Sequence, residues 1–405
     1  MNKIIVAGIS GTRLDDEQRR ALAGCTAIVT SGRYHHLAEA AGCEILPIAP
    51  VKDALAGIAA RLVDQGSVGV LASGDPLFFG IARTLIDRFG PDLVEILPGI
   101  SSLQLACARF KIPWDDIRVV SLHGREADHL PGRLLIPPKV AVFTDNRLSP
   151  DRVADNLLRY LESVGAAGII AGCRVLVAEN LGSAEERLVR GSLADIAAGS
   201  FGNLNVMLLL RPAPAASISP LGLSEAEISH SRGLITKDEV RAVTLHRLGL
   251  PGTGVFWDVG AGSGSVSIEA ARLCPGLHLF AVEKEEEQLA NIRKNIARFE
   301  TFNVQPVAGS APAVLAGLPD PDRVFIGGSG GRLAEIIEVA AGRLQGAGRI
   351  VVNCVTGRTR KEAPELLHRH GCRVRMSELQ ISRHQNGGNN QWIDLNPITI
   401  VTGIK

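Results

Sequence analysis

Two apolar strands of this chain run directly into glycine-containing turns, one in each half, and a proline-rich stretch separates the halves. In the first half an apolar run over 68–72 leads to Gly74-Asp75-Pro76. In the second, Val255-Phe256-Trp257-Asp258-Val259 leads to Gly260-Ala261-Gly262-Ser263-Gly264 and then to a helical pattern. Residues 211–220 hold three prolines among mostly small residues, which excludes a regular element and builds no core. At 405 residues the chain is also too long for one ordinary core. The expectation is two α/β units, 1–211 and 226–405, joined by a linker over 212–225.

Within the first unit, strands are expected at 3–8, 26–30, 44–48, 68–72, 93–97, 117–122 and 139–144. Helical patterns at 15–22, 52–64, 78–88 and 101–110 lie between several of them. Such alternation predicts a largely parallel sheet covered on both faces. After 174, short strands at 174–179, 186–190 and 205–211 predict an antiparallel section. In the second unit a helix over 237–248 precedes seven strands, near 254–259, 278–282, 304–308, 323–327, 348–353, 373–378 and 397–402. The polar stretch 382–390 separates the last two and predicts a closing antiparallel hairpin at one sheet edge.

The glycines of the second turn let backbone approach a ligand closely, and the helix behind it offers free N–H groups. Glu283 ends the next strand, where a carboxylate accepts hydrogen bonds from both hydroxyls of a ribose. A dinucleotide turn shares this plan, but its GxGxxG spacing needs glycine where this chain has Ser265. Asp258, two residues before the first glycine, suits a cationic sulfonium better than a pyrophosphate. The ligand expected here is S-adenosylmethionine, on Thr236, Gly260, Ala261, Gly262, Ser263, Gly264 and Glu283, with Ser310 and Ala311 at the height of an adenine. Gly327, Gly328, Ser329 and Gly330 follow the fourth strand. Four glycines within 327–331 are read as an opening for a large flat substrate rather than as packing. Asn353 ends the fifth strand and faces the same crevice. Arg332, Arg358, Arg360, Arg383 and His384 are candidate partners for substrate carboxylates, with Arg358 and His384 carried as substrate residues.

Composition narrows the alternatives. Aromatics make up 4% of the chain and the net charge is +1, which offers neither a stacking surface nor a field for a polyanion. An RNA methyltransferase, which shares the second-half fold, is therefore a distant reading, and no nucleic-acid partner is expected. Seven scattered cysteines show no CxxC pair and no zinc spacing, so no metal is expected and the thiols read as cytosolic. The opening MNKIIVAGIS lacks the features of a signal peptide, and no apolar run approaches the ~20 residues of a membrane helix. A cytoplasmic protein without membrane contact is the expectation.

Residues 236–405 resemble the decarboxylating precorrin methyltransferase domain of cobalamin synthesis. The likeness rests on Thr236-Lys237-Asp238-Glu239-Val240-Arg241, on 257–269, on Phe325-Ile326-Gly327-Gly328-Ser329-Gly330-Gly331 and on Gly348-Arg349-Ile350-Val351-Val352-Asn353. Residues 1–210 resemble the tetrapyrrole methylase family through the Gly74-Asp75-Pro76 turn and Leu97-Pro98-Gly99-Ile100-Ser101-Ser102. That resemblance implies donor contacts at Gly74, Asp75, Leu77, Ser101 and Ser102, although Ser101 and Ser102 also stand where helix caps belong. It aligns His123 and Arg125 with a segment near the cleft, as substrate contacts or as plain surface residues. One departure is plain: many family members open with GxGPG, where this chain has Gly8-Ile9-Ser10-Gly11. A fusion of the two domains implies two S-adenosylmethionine sites and methylation of precorrin-6Y at carbons 5 and 15. It also implies loss of carbon dioxide from the ring C acetate, giving precorrin-8X. The carbon 5 step is expected in the first half and the rest in the second. The alternative is the same chemistry on a cobalt-containing precorrin. Self-association is implied by the same resemblance, and no residue stands out as the acid or base of decarboxylation.

Overall fold

The computed structural model describes residues 2–39, 42–63, 66–122, 129–212, 221–385 and 391–405. The first half holds two five-stranded sheets. Strands β1 (Ile4–Ile9), β2 (Cys25–Thr30), β3 (Glu44–Pro47), β4 (Ser67–Ser73) and β5 (Val94–Leu97) form a parallel sheet in the order β3-β2-β4-β1-β5. Every residue of β1 is buried, as a central parallel strand covered on both faces requires. Strands β6 (Arg118–Ser121), β7 (Lys139–Phe143), β8 (Arg174–Glu179), β9 (Arg187–Gly191) and β10 (Asn205–Leu210) form the second sheet, β6-β7-β10-β8-β9. Here β6 and β7 are parallel, and β10 runs antiparallel to both its neighbours. The antiparallel section expected after 174 is therefore present.

Between β7 and β8 lies a helix, Pro150–Ser163, in a region where the sequence pattern predicts no element. Its start signals are nevertheless in the chain: Pro150 at the first helical position follows Ser149, and Val153, Ala154, Leu157 and Leu161 form one buried stripe.

In the second half, β11 (Thr253–Val259), β12 (Gly276–Glu283), β13 (Val304–Ala308), β14 (Arg323–Ile326), β15 (Arg349–Cys354), β16 (Arg373–Leu379) and β19 (Ile398–Ile404) build one seven-stranded sheet. Its order is β13-β12-β11-β14-β15-β19-β16. The last strand, β19, is antiparallel to both β15 and β16. The expected closing pair exists, but the chain's final strand slots inside the sheet and β16 takes the edge. The polar stretch between them carries a separate ribbon of β17 (Ser382–Gln385) and β18 (Gln391–Asp394).

The expected linker falls largely on 213–220, outside the described residues. What flanks it is firmly seated. Arg211, whose side chain is 2% exposed, pairs with Glu300 at 2.6 Å across the two halves. Beyond it, Leu223 is buried and its N–H donates to Glu269, so residues 221–225 already pack on the second unit. The halves also meet where Tyr160 Oη donates to the Val304 carbonyl at 2.7 Å. Beside that, the ring of His129 stacks on His278 with centroids 4.0 Å apart. One buried apolar cluster runs from β6 and β7 through the Pro150–Ser163 helix and Phe302 into the seven-stranded sheet. Among the described residues no helix is long and apolar enough to cross a membrane.

Candidate functional site

Three turns converge at the carboxyl edge of the first sheet. Gly8 lies near the end of β1, Gly74 follows β4 and Gly99 follows β5. A Cβ on Gly8 would lie 2.5 Å from both Gly74 O and Gly99 N, and one on Gly99 would lie 2.6 Å from Gly74 O and from Gly8 O. The backbones pack here without side chains, which explains why the chain keeps glycine at 8 although it lacks the family's following proline. Asp75 closes its own turn, its Oδ1 accepting from the N–H of Leu77 at 2.8 Å and of Phe78 at 3.2 Å. Ser101 caps the helix Ser102–Phe110 through a reciprocal box with Gln104.

These turns border a cavity of about 480 Å³ between the two sheets of the first half, lined by Gly74, Asp75, Ser101 and Ser102 among others. Leu77 does not line it; its side chain is turned out to solvent. The opposite wall comes from residues the sequence reading did not single out, including Phe143, Thr144, Asn180 and Asn205. Their one sequence signal is position: all lie at the ends of β7, β8 and β10. Tyr34 closes the near side with Oη donating to Ser73 Oγ at 3.0 Å. His123 and Arg125 lie outside the described residues.

At the second turn, Gly260, Gly262 and Gly264 all have φ between 56° and 74°, backbone that side-chain-bearing residues rarely adopt. An added Cβ on Gly262 would meet nothing nearer than Leu234 O at 3.9 Å, so the turn faces open space. The N–H groups of Gly260 and Ala261 both donate to Val282 O. Glu283 is held on both oxygens by backbone N–H groups: Oε2 accepts from Gly262 N at 2.9 Å, and Oε1 from Lys284 N at 2.8 Å and Glu285 N at 3.1 Å. An open glycine cradle beside an oriented carboxylate fits the ribose of a nucleoside donor. Thr236 is positioned by the buried Arg241, whose Nη1 donates to its carbonyl at 2.9 Å while Nε bonds Glu269. This network gives the 236–241 segment a structural reason. Ser310 and Ala311 follow β13 at the same edge.

Several sequence expectations change here. Asp258 is wholly buried, and its Oδ2 accepts from Ser267 Oγ at 2.7 Å and from Ser267 N at 3.2 Å. It braces the helix Ser265–Leu273 from beneath rather than facing a sulfonium, and burial pushes its pKa up to about 7. Ser263 is also buried. One of the 327–331 glycines does have a packing role: a Cβ on Gly327 would sit 3.0 Å from Phe325 Cε1 and 3.1 Å from Gly260 O, whereas one on Gly328 would meet nothing nearer than 3.9 Å. Gly330 and Gly331 adopt positive φ with nothing near them, which keeps the opening expected there.

A cavity of about 320 Å³ is lined by Gly327, Gly328, Ser329, Gly330, Asn353 and Arg358, with Thr356, Thr359 and Glu362 added by the structure. The amide of Asn353 pairs with Thr244 Oγ1 at 3.1 Å, which turns its polar end toward the helix Asp238–Leu248. Of the basic candidates, Arg358 alone lines this cavity, and it pairs with Glu362 at 2.8 Å. Arg332 pairs with Glu335, Arg360 with Glu378, and Arg383 with Glu225 and Glu239. His384 sits on the ribbon against Trp392, away from the cavity. Among the described residues no cluster of ligating side chains suits a metal ion.

Comparison with known proteins follows the same division. Residues 17–197 match the tetrapyrrole (corrin/porphyrin) methylases, and 227–405 match the precorrin methyltransferase domain. A precorrin-6Y C(5,15)-methyltransferase [decarboxylating] from a Sinorhizobium species is 36% identical over 401 residues, 97% of this chain and 92% of that protein. A probable cobalt-precorrin-6B C(15)-methyltransferase (decarboxylating) from Pyrobaculum calidifontis is 38% identical, over 45% of this chain and 94% of its own length. A solved structure described as precorrin-6y C5,15-methyltransferase from Geobacter metallireducens is 44% identical over 47% of this chain and all of that one, with a TM-score of 0.46.

Proposed function

This chain belongs to the family of decarboxylating precorrin-6Y C5,15-methyltransferases, and on that premise we propose that it methylates one tetrapyrrole twice, at a separate donor site in each half. S-adenosylmethionine is the donor that the family implies. Two glycine cradles of unlike construction, on two separate sheets, carry the two-site reading. Carbon 15 methylation and decarboxylation are assigned to the second half. The relative that bears those activities in its name spans only 45% of this chain but nearly all of itself, so both fit in a unit the size of 227–405. Carbon 5 falls to the first half. The relative matching nearly the whole chain is named for precorrin-6Y, which favours the metal-free macrocycle over a cobalt-containing one.

Bound in either cradle, the donor supplies a methyl group on a sulfonium. The protein's part is placement. In the second half, Glu283 accepts from the ribose hydroxyls and the 260–264 turn admits the donor's backbone-side edge. The opening at 327–331 then brings the macrocycle alongside. The reduced macrocycle is an enamine-like carbon nucleophile, so orientation at near-attack distance replaces a strong base. Electrons left by departing carbon dioxide pass into the conjugated ring system, and Arg358, on the wall of that opening, is the candidate partner for a substrate carboxylate. In the first half, the three converging turns present Gly74 and Asp75 to the donor, and the ends of β7, β8 and β10 close over it.

Mass spectrometry of precorrin-6Y incubated with donor and full-length protein tests this. The wild type should add two methyl groups and release carbon dioxide. Asp75→Ala should add one and still release it; Glu283→Ala should add one and retain it, with adenosylhomocysteine bound about tenfold more weakly at the second site. Both methyl groups persisting in Asp75→Ala would refute the first-half site.

A further inference from the structure

A cavity of about 1310 Å³ lies between the two halves. Its first-half wall includes Arg118 on β6 and Arg133 on the helix Leu130–Leu135; its second-half wall is the amino-terminal edge of the seven-stranded sheet, where Pro275 precedes β12 and His278 lies near its start. This edge is opposite the one carrying the 260–264 turn, so the cavity does not belong to the second donor site.

It adjoins the first one. Phe79 and Ser121 line both this cavity and the first donor cavity. The donor cavity, about 480 Å³, is within the ~300–1,000 Å³ range of a site for a single drug-sized ligand. A donor and a macrocycle together need the adjoining space. Phe79 stands at the junction with φ of 57°, a conformation costly for a bulky residue and one that marks functional positions. The residue is 58% exposed, and its ring is propped by Phe78 and Phe143 at 5.1 and 5.7 Å, which leaves aromatic surface for a flat ligand. Arg118 and Arg133 face the cavity, and neither has an ion-pair partner among the described residues, unlike the basic residues around the second site. Free guanidinium groups on a cavity wall bind carboxylates bidentately. The far wall is fixed in place: His278 stacks on His129, whose Nε2 is 2.6 Å from the Phe302 carbonyl.

We propose that this cavity seats the polycarboxylated tetrapyrrole for methylation at the first donor site, so that the second half forms one wall of the first half's substrate site. The proposal rests on the two-site reading above. No residue of the second half then acts in the first methylation except by shaping that wall.

The test uses full-length protein and separates the two reactions. Pro275→Glu places a carboxylate on the second-half wall, at an exposed position on the edge away from the second donor turn. Arg118→Ala removes a cation from the opposite wall. Each should raise KM for precorrin-6Y in the first methylation by about tenfold, with KM for the donor and the second methylation with its carbon dioxide release changed by less than about twofold. The intact second reaction certifies folding; should Pro275→Glu lose both reactions, Arg118→Ala decides alone. First-methylation kinetics unchanged in the folded variants would overturn the proposal. A wild type that adds only one methyl group would instead sink the two-site reading itself, and the two failures are thereby distinct.

Discussion

Asp258 shows how much a residue's meaning depends on which way it faces. An acid two residues before a glycine turn is visible in the sequence; that it points under the turn is not, because strand alternation beside a tight turn is decided by packing. Folding raises its pKa from 3.8 to about 7, chiefly by burial. The folded protein therefore keeps a proton that the unfolded chain has already lost at mid-range pH. That stability is fully present below about pH 4 and is lost as pH rises through about 7. Asp258→Asn keeps an oxygen for Ser267 and removes the titration, so its Tm should fall less than the wild type's between pH 5 and pH 8. An equal fall in both, by calorimetry, would assign the pH dependence elsewhere. The place of Glu283 beside the glycine turn is legible where the orientation of Asp258 is not, because a strand-ending acid one strand after the turn has a single crevice to face. Leu77 and His384 were placed by motif and proximity in sequence, and neither borders the cavity expected of it.

At the scale of elements, apolar runs located nearly every strand, and the glycines located the turns. Sheet order was less accessible. Nothing local says that β19 enters between β15 and β16, since pairing of strands far apart in sequence is a property of the closed sheet. The convergence of the turns after β1, β4 and β5 was likewise invisible as geometry, although each turn was read separately. Gly8→Ala tests it. Its Cβ would press on backbone from two other turns at 2.5 Å, and overpacking of this kind costs about 1–3 kcal/mol. The variant should lose the first methylation while retaining the second and its decarboxylation, followed by mass spectrometry. Retention of the first at wild-type rate would mean that the turns yield without harm to the cleft.

Across the whole molecule, the docking of the halves left no mark in the sequence: His129, Tyr160, Arg211, Glu300 and Phe302 belong to no motif. The two stacked imidazoles are held neutral, His129 down to about 3 and His278 to about 4, chiefly by burial. Depressed pKa values mean that their contribution is present above about pH 6.5 and is lost as pH falls through about 4. Hydrogen exchange of the segments flanking Phe302 should rise between pH 6.5 and pH 4 faster than in β11, and His278→Phe, which keeps the stack, should blunt that rise. Equal protection in both proteins at pH 4 would remove the histidines from the interface's acid response.

The cavity proposed for the first methylation and the 260–264 turn proposed for the second lie at opposite ends of the seven-stranded sheet, and a seven-residue strand such as β11 puts about 20 Å between those ends. A half-finished product leaving one therefore meets solvent before it meets the other, and its capture obeys diffusion and mass action rather than proximity. Such a protein should show a lag before final product that lengthens on dilution. Asp75→Ala and Glu283→Ala, each unable to finish alone, should when mixed complete the reaction, with either molecule taking up what the other releases.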